Sequence, residues 1–179
     1  MKKPYRYQDA EWAQVPLALQ KLTEQSRETR RGAYIHGDVG TGKTHVAYAI
    51  AEHVEQEMKA PTLFWNTTEL FATMKNDFDR RRQYAEAETV IDKLLQFTGL
   101  LFLDDIGAEK PSDWVAEQLY LLVNRRYEHG RVTFFTSNLG IAQLSERIGD
   151  RTASRIAEMC DIYQLTGADR RIAAAKARK

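Results

Sequence analysis

The residue types best suited to chemistry lie in one glycine-rich stretch, GDVGTGKT, at residues 37–44. The stretch fits the spacing G-x-x-x-x-G-K-[ST], in which backbone N–H groups face phosphate oxygens, the lysine neutralises the β- and γ-phosphates, and the last hydroxyl ligates Mg²⁺. A strand-like segment, residues 33–36, precedes it, and apolar residues four apart follow it on one face of a predicted helix. The motif and its context predict that the chain binds a nucleoside triphosphate together with Mg²⁺.

We expect this loop and the first turn of its helix to contact the nucleotide. Glycines let the backbone curl toward the phosphates, while Lys43 and Thr44 supply the positive charge and the metal ligand. A glycine-rich turn that fits the motif by chance is the alternative, and the flanking strand and helix argue against it. The expected nucleotide-binding residues of this stretch are Gly37, Asp38, Val39, Gly40, Thr41, Gly42, Lys43, Thr44 and His45.

A second polar group follows the apolar run LLFL, where Asp104 and Asp105 end a predicted buried strand. Ligands of open parallel sheets bind at this carboxyl edge. We therefore expect Asp104 to bind the nucleotide by holding its Mg²⁺ through water, and Asp105 to orient or deprotonate the attacking water. Because an aspartate reaches less far than a glutamate, we expect slow turnover. Two acids that only end a strand are the alternative.

The sequence TSN, at residues 136–138, ends another apolar run, VTFF. The amide of Asn138 can reach the γ-phosphate or the attacking water if this strand lies between the two strands that carry the loop and the acids. We therefore predict that Asn138 senses the γ-phosphate. A turn or a helix cap is the usual role of Ser-Asn after a strand and is the alternative.

The composition suits a single α/β domain of 179 residues. With 26 basic and 25 acidic residues, the formal net charge is +1, so any nucleic-acid binding must use a local patch. Cys160 is the only cysteine and cannot form an internal disulfide, which indicates a reducing compartment. No apolar run follows the two lysines of MKKPYRYQDAEW, and no stretch reaches the length of a membrane span. We expect a cytoplasmic protein that does not bind a membrane.

Predicted strands and helices alternate along the chain, which argues for a parallel sheet between two layers of helices. Runs such as LLFL and VTFF are continuous rather than alternating, as expected of central strands covered on both faces. The predicted strands lie at 33–36, 62–66, 99–105, 132–136 and 161–165. After the loop helix, helices are predicted at 68–97 (two, joined by DFDRRRQ), 113–129 and 141–159 (broken near Gly149).

The predicted organisation has three parts: a lead-in at 1–30, one α/β domain at 31–171 and a basic tail at 172–179. The lead-in is expected to contain a helix with an apolar side. The residues of that side are Trp12, Val15, Leu19 and Leu22.

Four segments, GDVGTGKT, LLFLDDIG, FFTSN and ERIGDRTASRIAEMCDIYQLTGADRR, occur in an order and spacing that resemble those of the AAA+ ATPases. The set is most similar to the DnaC/DnaI helicase loaders and the related IstB transposition ATPases, with which it shares a double aspartate followed by Ile-Gly. The resemblance covers residues 5–171. It implies an ATP-hydrolysing three-layer αβα sandwich with a five-stranded parallel sheet, and a homo-oligomer that binds ATP and Mg²⁺ between subunits. The chain departs from the family in one respect, because we expect little or no C-terminal lid, with only a short tail in its place.

By the same resemblance, Arg155 in ASRIAEM falls at the arginine finger, which completes the ATP site of a neighbouring subunit. A guanidinium at the γ-phosphate stabilises charge that develops in the transition state. Arg147 and Arg151 are close enough in sequence to take this role, and a surface arginine is the further alternative. Arg170 or Arg171 in GADRR resembles the sensor-2 position, which contacts the nucleotide.

Residues 67–97 resemble the helical element that lines a channel for single-stranded DNA in this clade. Aromatic and cationic side chains together suit base stacking and backbone neutralisation. Interleaved acids dilute the charge, so buried phenylalanines beside a solvated basic face are the alternative. The candidate DNA-binding residues are Phe71, Lys75, Phe78, Arg80, Arg81 and Arg82.

The resemblance implies a loader of the replicative helicase in DNA replication, with that helicase and single-stranded DNA as partners. Helicase loaders of this family carry a helicase-binding domain before the ATPase core, whereas only residues 1–30 precede it here. Either another surface binds the helicase, or the chain is a shorter, phage- or element-encoded relative. An IstB-like transposition helper, a P-loop small-molecule kinase and a nucleotide-gated binding module with negligible hydrolysis are the alternative functions.

Overall fold

A computed structural model describes residues 2–83 and 88–170, and for 78–83 it describes the backbone alone. Two short 3₁₀ helices, Tyr5–Tyr7 and Trp12–Gln14, open the chain. The α-helices are α1 Leu17–Thr29, α2 Lys43–Gln56, α3 Thr67–Gln83, α4 Val90–Gln96, α5 Asp113–Glu128, α6 Ile141–Ile148 and α7 Asp150–Met159. The strands are β1 Gly32–His36, β2 Thr62–Asn66, β3 Leu100–Asp104, β4 Thr133–Ser137 and β5 Cys160–Gln164.

The strands form one sheet of five in the order β2-β3-β4-β1-β5, and every pairing is parallel. This confirms the predicted five-stranded parallel sheet. Strand β4 lies between β3 and β1, with Phe102 opposite Phe134 and Ile35 opposite Thr136. The carboxyl ends of the strands that carry the glycine-rich loop, the two acids and TSN are therefore neighbours.

Alternate residues of each central strand support opposite layers of helices. Leu101 and Leu103 pack into an apolar cluster with α3 to α7, whereas Leu100 and Phe102 pack into a second cluster with α1 and α2. All five residues of β3 and of β4 are buried, as the continuous apolar runs predict. Each fully buried Leu or Phe side chain contributes about 1.5–3 kcal/mol to the stability of the folded state. The sheet therefore fixes the positions of the polar groups at its carboxyl edge.

The predicted helix in the lead-in begins later than its apolar pattern indicates. Trp12 belongs to a 3₁₀ turn, and α1 starts only after Pro16, with Val15 extended at φ −74° and ψ 131°. The reason is the proline, because it disfavours helical geometry in the residue before it. The apolar side still packs inward: Val15 and Leu19 are buried in the cluster with α2, and the Trp12 ring stacks on His53 at 3.7 Å between centroids.

The stretch DFDRRRQ does not join two helices, as predicted, but belongs to α3, which runs through it to Gln83. The stretch contains neither glycine nor proline, and arginine is a good helix former, so charge alone does not end the helix. Helix α4 begins after Thr89, whose hydroxyl caps the Asp92 N–H in a capping box. The Asp77 carboxylate ties the two helices together by accepting from the Val90 N–H at 2.8 Å.

The remaining boundaries agree with the predictions to within a residue or two. The break near Gly149 separates α6 from α7, and Gly149 has φ 88°, in the region that favours glycine.

Cys160 is buried at the start of β5, where burial raises the pKa of its thiol. Across residues 2–83 and 88–170, none of the helices combines the length and the apolar character that a membrane crossing requires.

Candidate functional site

The glycine-rich loop connects the end of β1 to the start of α2. Gly37 has φ 149° and Gly42 has φ 98°, conformations that residues with a Cβ rarely adopt. A Cβ on Gly37 would also collide with the carbonyl oxygen of Leu165, the residue after β5. Leu165 in turn donates its N–H to the His36 carbonyl at 2.7 Å. The loop is thus held between β1 and the segment that follows β5.

Lys43 lies inside this loop and is 6% exposed. Its ammonium donates to the carbonyl oxygens of Gly37 and Asp38, both at 2.8 Å. Thr41 also donates its hydroxyl to the Asp38 carbonyl, at 2.9 Å, while Asp38 and Val39 are exposed at the loop tip. The positive charge therefore sits where the backbone curls, which is the arrangement that binds phosphate oxygens.

Asp104 is the centre of the polar group at the carboxyl edge of the sheet. It is 5% exposed, and its two oxygens accept from different hydroxyls: Thr44 at 3.2 Å and Thr136 at 2.6 Å. Burial raises the pKa of this carboxyl, and the hydrogen bonds from Thr136 and Thr44 oppose that rise. A carboxylate and a hydroxyl are hard oxygen donors, so Asp104 and Thr44 fit a Mg²⁺ ion.

Asp105 and Asn138 meet beside this pair. The Asn138 amide donates to the Asp105 carboxylate at 3.1 Å, and Thr136 accepts from the Asp105 N–H at 2.9 Å. Asp105 has φ 61°, a left-handed conformation that is uncommon outside glycine. The structure therefore brings together the acid and the amide that the sequence assigns to water and γ-phosphate, and a carboxylate placed this way can orient or deprotonate a water.

Two polar residues of this group were not singled out from the sequence. Thr136 joins both acids, because its hydroxyl donates to Asp104 and accepts from Asp105. Asn66 accepts from the Thr68 N–H at 3.0 Å through its amide oxygen, lies opposite Asp104 in the register of β2 and β3, and helps to oppose the rise in the pKa of Asp104. Their shared signal is a polar side chain at the carboxyl end of an apolar strand, which is visible in VTFFT and TLFWN.

Arg170 and His45 lie at the opening of the loop. The Arg170 N–H donates to the Gly40 carbonyl at 2.9 Å, and a Cβ on Gly42 would lie 3.1 Å from a guanidinium nitrogen of Arg170. His45 is 2.6 Å from the amide oxygen of Gln14. Burial and then the Arg170 charge lower the pKa of His45. Arg171 lies outside the described residues.

Arg155 has its contacts elsewhere. Its guanidinium carbon is 5.0 Å from the ring centroid of Tyr120 and 5.7 Å from that of Tyr127, both on α5, and it donates to the Arg151 carbonyl at 3.2 Å. Its buried Nε has no partner among the described residues. Arg147 donates to the Glu109 carbonyl at 3.4 Å. The structure does not bring Arg155 to the loop of its own subunit within the described part of the chain.

The candidate DNA-binding residues divide into three kinds. Phe71 is 4% exposed in the apolar core, which leaves no free face for a base and favours the core alternative for this residue. Lys75 places its ammonium 5.4 Å from the ring centroid of Trp114, which is half-buried on α5 and was not singled out from the sequence. The side chains of the other four lie outside the described residues: Phe78, Arg80, Arg81 and Arg82.

Residues 16–176 match the family described as "IstB-like ATP binding protein". The chain belongs to this family. The resemblance to the IstB and DnaC/DnaI clade of AAA+ ATPases is therefore confirmed. The matched range of this IstB-like chain contains all the candidate site residues named above.

Curated relatives agree with the family match. The IstB-like chain is 31% identical over 146 residues to the Phage-like element PBSX protein XkdC of Bacillus subtilis, which covers 78% of this chain and 52% of the relative. It is 29% identical over 117 residues to the Replicative helicase loader DnaI of the same organism, covering 64% of this chain and 35% of the relative. The chain thus spans about half or less of these two relatives.

Solved structures agree with the fold. The IstB-like chain superimposes on a crystal structure of the DnaC helicase loader with a TM-score of 0.80 at 24% identity, covering 91% of this chain and 100% of the other. The replication initiator DnaA bound to AMPPCP and single-stranded DNA gives a TM-score of 0.74 at 14% identity, over 98% of this chain and 56% of the other. These likenesses confirm the three-layer αβα fold.

Proposed function

We propose that this chain binds ATP with Mg²⁺ and hydrolyses it as an AAA+ ATPase of DNA replication. One observation carries the proposal: Thr44, Asp104, Asp105 and Asn138 lie within one hydrogen-bonded group at the sheet edge that the Lys43 loop also borders. These groups are the ones that an ATPase needs for the metal, the water and the γ-phosphate. Membership of an ATP-binding family gives independent support.

Each residue has a distinct part in this proposal. Bound ATP supplies the bond to be broken, and Mg²⁺ supplies charge that stabilises the leaving phosphates. Lys43 binds the phosphates within the loop, and Thr44 with Asp104 holds the metal. Asp105 orients the attacking water, and Asn138 keeps the Asp105 carboxylate in place and contacts the γ-phosphate.

Arg155 is proposed to act on the ATP of a neighbouring subunit. Its guanidinium packs over the rings of Tyr120 and Tyr127 on α5, and none of its contacts within the described residues is with the loop of its own subunit. An arginine supplied by a neighbour accelerates related nucleotide hydrolysis by about 10³–10⁵-fold. A homo-oligomer in the cytoplasm, with ATP between subunits, is the corresponding assembly.

The specific role we propose is that of a DnaC/DnaI-like loader that engages a replicative helicase and single-stranded DNA. The names of the helicase-loader relatives support this role. Lys75 beside the half-buried Trp114 offers a cation and an aromatic face on one surface, which suits DNA backbone and bases respectively. Arg80, Arg81 and Arg82 of α3 remain predicted contacts on the same helix as Lys75.

A transposition helper of the IstB type is a second candidate, favoured by the family match and by a relative from a phage-like element. Both candidates share the ATPase site and differ in their protein partner. Capture of a purified replicative helicase by the chain, with ATP and without it, separates them. Capture of the helicase in an ATP-dependent manner supports the loader, whereas no capture in either condition favours the helper.

The test of the ATPase is turnover of ATP with Mg²⁺, with and without single-stranded DNA. Wild type should hydrolyse ATP, and Lys43→Ala should remove both binding and turnover. Lys21→Ala, an exposed lysine on α1, is the matched control and should behave as wild type. Tight ATP binding without turnover indicates the nucleotide-gated module instead, and phosphate transfer to a sugar or nucleoside indicates the small-molecule kinase, which the AAA+ family membership disfavours.

A further inference from the structure

The turn after β3 has an unusual backbone conformation at Asp105, the residue proposed to orient the attacking water. Asp105 has φ 61° and Gly107 has φ 87°, so two left-handed residues lie two positions apart. A non-glycine residue keeps such a conformation only when its surroundings over-determine it. The contacts that fix this turn therefore decide where the Asp105 carboxylate points.

Glu109 is a buried acid that closes this turn from within. It is 6% exposed, and its carboxylate accepts from the Gly107 N–H at 2.9 Å and lies 3.2 Å from the Thr67 hydroxyl. A carboxylate so far out of water needs such donors, since an unpaired buried charge is strongly disfavoured. Arg147 fixes the neighbouring peptide by donating to the Glu109 carbonyl at 3.4 Å.

Thr67 links Glu109 to the two acids. It is fully buried at the start of α3, and its hydroxyl is 3.2 Å from the Asp104 carbonyl and 3.1 Å from the Asp105 carbonyl. The hydroxyl has a single proton for these three acceptors. Donated to the Glu109 carboxylate, that proton ties the acid that closes the turn to the first residue of α3.

Further hydrogen bonds complete the turn on its other side. The Ile106 N–H donates to the Thr136 carbonyl at 2.8 Å, and the Ser137 hydroxyl donates to the Ile106 carbonyl at 2.6 Å. These bonds fix the turn to β4, whereas Glu109 and Thr67 fix it to α3. Loss of the Glu109 carboxylate would leave Gly107 N–H without its acceptor and release one of the two sides.

We propose that Glu109 is a positioning residue for ATP hydrolysis: its buried carboxylate holds the turn that aims Asp105 at the attacking water. Glu109 contacts neither nucleotide nor water in this role and acts only through Gly107, Thr67 and the Asp105 backbone. The inference rests on the proposed ATPase function, and it adds to the site a residue that has no direct part in binding ATP.

The test compares Glu109→Ala, Glu109→Gln and the matched control Glu117→Ala, which removes an exposed acid from α5. Because a misplacement of about 1 Å can cost on the order of 10²-fold, Glu109→Ala should lower kcat at least tenfold while the Kd for ATP stays within about twofold. Glu109→Gln retains an oxygen for the Gly107 N–H and should keep most of the activity. The control should match wild type.

A merely structural role would lower the melting temperature of Glu109→Ala but leave kcat per folded molecule unchanged, and that result would overturn the inference. Should Glu109→Ala not fold, Thr67→Val and Thr67→Ser provide the same comparison, with the fall in kcat expected for valine alone. Absence of hydrolysis in wild type would overturn the proposed function and this inference with it. Hydrolysis by wild type with unchanged kcat in Glu109→Ala and Thr67→Val would overturn this inference only.

Discussion

Asp104 combines burial with negative charge at the centre of the site. Thr44 and Thr136 donate hydroxyls to it, yet burial still raises its pKa. A carboxyl whose pKa is raised on folding favours the folded state most below its unfolded-state pKa, and that contribution is lost as the pH rises through the folded-state pKa. Above the folded-state pKa the buried charge therefore costs stability, and a bound cation offsets that cost.

Asp104→Asn tests this balance. The neutral amide removes the buried charge, so the Tm without nucleotide should equal or exceed that of wild type. Bound Mg²⁺-ATP at about 100 times its Kd should stabilise wild type by about 2.7 kcal/mol, and the Mg²⁺-dependent part of this shift should vanish in the variant. Thermal unfolding with ATP and either Mg²⁺ or EDTA measures it, with the exposed Glu24→Gln as control. A full Mg²⁺-dependent shift in Asp104→Asn would remove Asp104 from the metal site.

The site is partly predictable from the sequence because the loop and the two acids carry their signal in adjacent residues. The Lys43 ammonium lies inside the loop that the motif predicts, and the Thr44 hydroxyl donates to Asp104. Thr136 and Glu109 were not predicted, because their partners come from other strands and helices. Their positions depend on the strand order and on the turn after β3, which spacing along the chain does not reveal.

At the scale of elements, the strand ends follow from apolar runs, whereas helix ends depend on local chemistry. Pro16 delays the start of α1, although Trp12 and Val15 continue its apolar period. The charged stretch after Asp77 continues α3, although its composition resembles a loop. The apolar period thus predicts where the helices lie, whereas proline and capping residues set where they begin and end.

Arg126 shows what holds the opposite edge of the sheet. Its side chain is 1% exposed and donates to the carbonyls of Phe97, Gly99 and Val132 at 2.8–3.0 Å and to the Thr133 hydroxyl at 2.7 Å. Burial, and then the nearby Arg131 charge, lower its pKa to about 9. The Arg126 guanidinium therefore hydrogen-bonds to the chain at the starts of both β3 and β4 and holds these two strand ends together.

We expect Arg126→Ala to destabilise the protein by about 3 kcal/mol or more, since the Gly99 carbonyl loses its donor in the interior. The Phe97 and Val132 carbonyls keep only the longer bonds from the Arg131 side chain and the Leu101 N–H, at 3.4 and 3.3 Å. The adjacent Arg125 is exposed on the same helix, and Arg125→Ala should change the unfolding free energy by no more than about 0.5 kcal/mol. Urea unfolding measures both values. Equal effects of the two substitutions would contradict the role assigned to Arg126.

At the scale of the whole molecule, the position of Arg155 predicts complementation between defective subunits. Lys43→Ala lacks the loop charge, Arg155→Ala lacks the finger, and each alone should have little turnover. When equal amounts mix at random, about a quarter of the interfaces pair an intact loop with an intact finger, so about that fraction of wild-type turnover should return. Steady-state ATP hydrolysis of the mixture measures it. A mixture no more active than its components would place the finger elsewhere.

The proposed DNA surface also belongs to this scale. Trp114→Ala should weaken binding of single-stranded DNA by about 1–3 kcal/mol, because it removes a stacking face. Lys75→Ala should instead reduce the salt slope of binding by about 1, since one phosphate contact is lost. Fluorescence anisotropy at several salt concentrations distinguishes the two effects, with Lys21→Ala as control. An unchanged affinity in Trp114→Ala would exclude this surface.

The path of the chain after β5 has a mechanical consequence. Two backbone hydrogen bonds attach it to the phosphate loop, from Leu165 to His36 and from Arg170 to Gly40. Tension applied to the chain beyond residue 170 is therefore borne first at Gly40 and next at His36, before it reaches the pairing of β5 with β1. A pull from that side would deform the loop while the sheet is still intact. Force on the chain after β5 would therefore weaken nucleotide binding, because both act on the backbone of the same loop.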